Sequence, residues 1–243
     1  MLSSPVFSIL SKINPDDEKS WNGKIFLTLD IDWAHDEVIH DTLQLIQSTQ
    51  VESTWFATHK TILLDDLRRN TNVELGIHPN FNPLLSGDTS ISSLEVIARC
   101  ISLVPEARSI RSHSLTQSER LIDQFRYEGL THISNLFIPY GSGMQPKPFR
   151  LWERMIMVPH SWQDNVALKM NMGFPKNSDF SFGLHVFDFH PIHVFLNTEN
   201  LERYERTRPF HQDPKELIKH RYEGYGTRNR FLELLTLAKS ERR

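Results

Sequence analysis

Apolar and polar positions fall into a repeated two-part pattern along the chain: a short apolar run, then a longer stretch with apolar residues three and four apart. The first run, Lys24–Asp30, is apolar inside except for Thr28, as expected of a strand covered on both faces. Beyond it, Asp36 can cap a helix that carries Val38, Ile39, Leu43 and Ile46 on one face. The alternation continues with strands over 53–58 and 73–78, a helix near 60–70 between them, and a Pro, Asn and Gly-rich loop over 78–88. Ser92 and Glu95 have capping-box spacing and open a helix that stops before Pro105. Arg108–His113 reads as a strand, Thr116 and Glu119 as a second capping box, and Gly129 as the C-terminal stop of the helix between. Further strands are expected near 131–138, 154–159 and 184–190, with loops over 139–148 and 171–183. A last helix, with Thr227 as its cap, buries Phe231, Leu232, Leu234, Leu235 and Ala238.

Strands alternating with helices imply βαβ units and a parallel sheet. About seven strands favour a closed or nearly closed barrel over an open doubly wound sheet. The expected fold is therefore α/β, a single-domain irregular barrel of the TIM type. Residues 1–22 read as a loosely held lead-in, and residues 23–243 as the barrel with its C-terminal helix.

Composition narrows the functional classes. With 39% hydrophobic and 23% charged residues the chain has the make-up of a soluble globular protein. A net charge of −3 offers no electrostatic case for nucleic acid. The one cysteine, Cys100, cannot build an intrachain disulfide framework and fits a reducing compartment; its place in an amphipathic helix points to packing. The N-terminus lacks the basic region of a signal peptide, and no run approaches the roughly 20 apolar residues of a membrane span. A cytoplasmic protein that does not span a membrane is expected, with oligomerisation left open.

The chemistry gathers where strands end. Asp30 and Asp32 close the first run, and residues two apart on a strand face the same way. Two carboxylates on one side repel unless a cation or a shared proton lies between them. His78, Arg111, His113 and His190 also fall at strand ends, which is where barrel enzymes keep their active sites. His193 sits three residues from His190, so at most one of the two is expected to enter the site. A divalent ion with an open position commonly takes three protein ligands from His and carboxylate. Asp32, His78 and a third group can supply them, Asp30 can act as base with Arg111 fixing its orientation, and His190 can donate a proton to a leaving amine. The reaction class is metal-assisted hydrolysis of an amide or ester.

These residues, in this order, resemble the NodB-type polysaccharide deacetylase superfamily over roughly residues 24–195. The likeness is nearest to the divergent branch associated with O-antigen and surface-polysaccharide biosynthesis. That resemblance implies an irregular (β/α)7 barrel and removal of an acetyl or other acyl group from an amino sugar. Leu29-Asp30-Ile31-Asp32 then carries the base, Asp30, and a metal ligand, Asp32. His78 matches the first histidine of the second motif, but Asn82 stands where the second belongs. Arg111 matches the third motif, with His113 in place of its proline, so His113 is the expected third ligand and Asn82 the alternative. Val158–Asp164 resembles the fourth motif and would put Trp162 beside the sugar with Asp164 as polar support, so that Trp162, Asp164 and Asn82 are the expected substrate-binding residues. Phe187-Asp188-Phe189-His190 matches the motif of the acid histidine. The implied cofactor is one divalent ion, zinc by default. The implied partner is an acetamido-sugar precursor, nucleotide-linked or lipid-linked. Competing readings are an Asp-x-Asp glycosyltransferase, which leaves the histidines idle, a catalytically inactive barrel serving as a binding subunit, and an amide hydrolase for a small non-sugar substrate.

Overall fold

A computed structural model describes residues 6–152, 154–175 and 180–238. Its strands are β1 (Val6–Phe7), β2 (Lys24–Asp30), β3 (Ser53–Ala57), β4 (Val73–Ile77), β5 (Ser109–Ile110), β6 (His132–Ile133), β7 (Phe149–Arg150), β8 (Ile156–Met157), β9 (Trp162–Gln163) and β10 (Leu184–Phe189). The sheet runs β7-β8-β6-β5-β4-β3-β2-β10-β9, and β1 lies beside β2. All pairings are parallel except β7 with β8.

The two ends of that order meet. β8 and β9 belong to one extended segment, 156–163. Its first half bonds to β6, with Val158 N on Ile133 O at 2.8 Å, and its second half bonds to β10, with Ser161 N on Val186 O at 2.9 Å. Counting that segment once leaves seven parallel positions, β2 to β6, 156–163 and β10, in the irregular (β/α) barrel that the strand pattern predicts.

Period-two alternation sorts side chains between the two faces of this curled sheet. Ile25, Leu27 and Leu29 point outward and share a core with Val38, Ile39, Leu43 and Ile46 of the helix Asp36–Gln47. Phe26 points inward, into a second cluster with Phe56, Val158 and Val186. Thr28 and Asp30 follow it on the same face, so β2 changes from apolar to polar as it rises towards its C-terminal end. Gly76 of β4 is required at that level: a Cβ there would lie 2.7 Å from the Phe56 ring and 2.6 Å from Ser109 O.

The described part of the lead-in, residues 6–22, is tightly held, not loose. β1 pairs with β2, and Leu10, Ile13 and Trp21 are buried in the cluster that closes the N-terminal end of the barrel. Leu10 N bonds to Thr54 Oγ1 and Ser11 N to Glu74 Oε2, both at 3.1 Å. Several expected boundaries also shift. The strands expected over 108–113, 131–138 and 154–159 shorten to two-residue pairings because irregular turns interrupt them. The capping box at Ser92 and Glu95 forms, whereas Ser118 caps the helix Glu119–Tyr127 and Thr116 instead bonds to His113 O. Gly226 caps the last helix, Thr227–Thr236, with Thr227 buried as its first residue, and Leu232 faces outward. Expectations that touch residues 1–5, 153, 176–179 and 239–243 lie outside the described residues.

Candidate active site

Four strand ends deliver the site. Asp30 is the last residue of β2, and the chain leaves the sheet there in a turn. Asp32 and Trp33 both adopt left-handed backbone angles, φ 38° and 55°, a conformation uncommon outside glycine. His78 follows β4, its N–H bonded to Ala57 O at 2.8 Å. Arg111 follows β5, and His113 opens the 3₁₀ turn His113–Leu115, anchored by its N–H on Pro79 O at 3.0 Å. His190 follows β10, where Pro191 turns the chain into the helix Pro191–Leu196.

Asp32, His78 and His113 converge on one point. His78 Nε2 and His113 Nδ1 each lie 3.2 Å from Asp32 Oδ1 and 3.3 Å from each other. Hydrogen bonds cannot fill all three edges of that triangle: each ring nitrogen donates at most one proton and the carboxylate oxygen donates none. A tetrahedral ion with ligand bonds of about 2.0–2.1 Å sets its ligand atoms about 3.3–3.4 Å apart, so the donor set and its spacing fit such an ion. Burial raises the Asp32 carboxyl's pKa, but bonds from His113 and His78 outweigh it and hold the group well below the usual carboxylate range.

His190 stands across from the triad, its Nε2 3.4 Å from Asp32 Oδ2. Asp164 holds its other side twice, with Oδ1 accepting from Nδ1 at 2.6 Å and Oδ2 from the backbone N–H at 2.7 Å. Burial disfavours the imidazolium, yet the carboxylates of Asp164 and then Asp32 overcome it, and the pKa rises well above the usual imidazole value. His193 packs edge-on to His190 and bonds to Thr198; burial pushes its pKa down to about 4.

Arg111 is fully buried beneath these groups. Its Nη1 donates to Asp188 at 2.5 Å, Thr28 Oγ1 at 2.9 Å and Asp30 at 3.0 Å, while Nε and Nη2 donate to Ser134. The guanidinium lies 4.8 Å from the centre of the Phe56 ring, and that ring occupies the space that Gly76 leaves open. Asp188 is the carboxylate that sequence reasoning missed. A signal existed, because Asp188 stands two residues before His190 and so shares its face of β10. Burial, opposed by Arg111 and reinforced by Asp30, pushes the Asp188 carboxyl well above the usual range.

Of the sequence-predicted site residues, the structure gathers Asp30, Asp32, His78, Arg111, His113 and His190. Three others are placed differently from expectation. Trp162 is fully buried against Phe174, Phe187 and Phe189 and forms no wall for a sugar. Asp164 supports His190 from behind rather than facing a substrate. Asn82 starts the short helix Asn82–Leu85 and bonds to Ser114 Oγ at 3.1 Å, bracing the turn that carries His113. A cleft of about 540 Å³ opens over the site, lined by Asp32, His113, Gln163, Lys169, His190 and Tyr204 among others.

The fold and this donor set define a parallel barrel protein with a candidate divalent-metal centre at its strand ends. The model of the WbmS-like polysaccharide deacetylases matches residues 27–208, and the chain belongs to that family. It is 43% identical to a crystal structure from Bordetella bronchiseptica named as a candidate polysaccharide deacetylase of O-antigen biosynthesis, covering 95% of this chain and 97% of that one with a TM-score of 0.91. The 4-alpha-glucanotransferase of Thermococcus litoralis aligns over 90% of this chain and 36% of its own, at 11% identity and a TM-score of 0.51; that likeness concerns the fold alone. A search of curated proteins finds no match. Among the described residues, no helix is long and apolar enough to cross a membrane.

Proposed function

We propose that this chain is a metal-dependent hydrolase that removes an acetyl or other acyl group from an amino sugar of a cell-surface polysaccharide precursor, nucleotide-linked or lipid-linked. The observation that carries the reading is the donor triangle of Asp32, His78 and His113 between a buried carboxylate, Asp30, and a charged histidine, His190. The family membership and the Bordetella relative's link to O-antigen support the choice of substrate.

Asp32, His78 and His113 would hold one divalent ion, zinc by default, which polarises the acyl carbonyl and lowers the pKa of water. Asp30 takes the proton of the attacking water while Arg111 holds its Oδ1. Arg111 in turn is fixed by Ser134, Thr28 and Asp188, so the base cannot swing away. As the carbon–nitrogen bond breaks, the amine needs a proton, and His190 presents one on Nε2. Asp164 fixes the ring and favours its charged form. A nitrogen leaving group is the substrate feature that most needs such an acid, which favours an amide over an ester. The glycosyltransferase reading employs Asp30 and Asp32 but gives His78, His113 and His190 no work.

The test measures bound metal, free acetate and new amine with acetamido sugars. Asp30→Asn is expected to keep the ion and lose on the order of 10³-fold or more in kcat, within the range of general-base catalysis. Full activity of Asp30→Asn would sink the mechanism, and nucleotide release without acetate would transfer the assignment to a glycosyltransferase.

A further inference from the structure

Trp33 is the least expected side chain at the mouth of the barrel. A bulky residue rarely takes the left-handed backbone it adopts, φ 55°, and such strain persists where the surrounding fold holds it. Here Trp33 N donates to Thr58 Oγ1 at 3.1 Å, and Gln212 Nε2 donates to Trp33 O at 3.0 Å. Trp33 is nevertheless 41% exposed, and its indole stands edge-on to His113 with ring centres 5.2 Å apart. The fold thus pins a large apolar ring in the open beside a candidate metal ligand, where it adds little to the core.

The space around that ring has its own chemistry. Trp33 and His78 line a second cleft, of about 340 Å³, whose walls include Asn80, Asp88 and Ser90. The larger cleft over His190 contains Asp32 and His113. The donor triangle therefore lies between the two clefts, with His78 and the indole on the side of the smaller and Asp32 and His113 on the side of the larger. A pyranose has one face of C–H groups, suited to an indole, and a rim of hydroxyls suited to amide, carboxylate and hydroxyl partners. Trp162 cannot provide such a platform, being sealed in the core.

We propose that Trp33 is a specificity-determining residue that stacks on the sugar next to the one deacetylated, so that the preferred substrate is an oligosaccharide of at least two units spanning both clefts. This rests on the deacetylase reading above and narrows its substrate to the lipid-linked precursor, because a nucleotide carries a single sugar. The test compares the metal-loaded full chain on N-acetylglucosamine and on its β-1,4-linked trimer. The trimer is expected to react with about tenfold higher kcat/KM or more. Trp33→Ala should erase that preference mainly through KM, and Trp33→Tyr should restore most of it. Trp33→Gly separates stacking from backbone strain: it relieves the left-handed conformation yet should lose the preference as Ala does. Equal kcat/KM for monomer and trimer in the wild type, or a preference intact in the Ala and Gly variants, overturns the proposal. If the wild type frees acetate from neither sugar, the deacetylase reading has failed on these probes, and the indole N–H resonance of Trp33 decides the stacking. A shift with the trimer and not the monomer sustains it, and no shift with the trimer refutes it.

Discussion

Two halves of the site share Asp30 and Asp32 as their border and follow opposite rules. In the donor triangle, Asp32 and His113 keep 19% and 26% of their side-chain surface exposed, and three ligand atoms crowd one point that hydrogen bonds alone cannot satisfy. Around Arg111 the side chains of Asp30 and Asp188 are sealed, and every guanidinium nitrogen finds a partner within the chain. The difference teaches what each half is for. On the proposed function the triangle is a preformed site for an ion, while the Arg111 guanidinium is self-sufficient and holds Asp30 in place; the buried Asp188 Oδ2 beside it has no hydrogen-bond partner. Asp188 fits that division: burial pushes its carboxyl towards the protonated form despite Arg111, which leaves more of the arginine's charge to Asp30.

The largest effect should come from breaking the self-sufficient half. Arg111→Met removes the cation shared by two buried carboxylates, and stability is expected to fall by about 3–5 kcal/mol in urea unfolding, with activity lost. Replacing Asp188 by Leu in the same chain should recover part of that stability and none of the activity, because Asp30 still lacks its anchor. A cost under about 1 kcal/mol for Arg111→Met would show that the cluster is not the rigid element it appears in the geometry.

The triangle should respond the other way. His113→Ala removes a partly exposed side chain, so the metal-free fold is expected to lose little stability. Metal affinity should fall at least 100-fold, more than the usual effect of losing a supporting group, measured by competition with a chromogenic chelator. Asn82→Ala, which only loosens the Ser114 brace behind His113, should weaken binding by about tenfold or less. The reverse order would return the third ligand to Asn82 and dissolve the contrast between the halves.

Much of this contrast was legible in the sequence, and the gaps have physical causes. Apolar runs alternating with helix-like stretches, and the abrupt polar ends of those runs, located the barrel and six of the gathered side chains. Asp188 obeyed the same rule from inside an apolar run and was read as part of its motif only, since burial of a carboxylate depends on Arg111 arriving from 77 residues away. Trp162 was expected beside the sugar only through the likeness of Val158–Asp164 to a family motif, which carries no burial signal; its burial comes from Phe174, Phe187 and Phe189 packing on it. The N-terminal segment lacked any regular pattern, yet Leu10, Ile13 and Trp21 close the barrel's lower end, a tertiary fact with no local signature. Short helices such as Asp164–Met170 and Leu201–Thr207 span two turns or fewer and owe their existence to packing.

The mildest change tests the border between the halves. Asp164 is the carboxylate closest to the His190 Nδ1, so Asp164→Asn keeps an acceptor for that nitrogen while removing the negative charge. Burial then acts on His190 with less opposition, and its raised pKa should fall. The acid form needed for amine protonation exists below that pKa, so the alkaline limb of kcat should move to lower pH, with about tenfold loss above it and near-normal rates below it. Stability carries the same sign. A raised folded-state pKa contributes stability that is complete below the unfolded value of about 6.5 and is lost as pH rises through the folded value. In the metal-free protein the gap between wild type and Asp164→Asn should therefore be widest under mildly acidic conditions and close at alkaline pH. A variant whose alkaline limb stays put would mean that Asp164 merely shapes the backbone at His190, and that His190 owes its charge to Asp32 of the triangle.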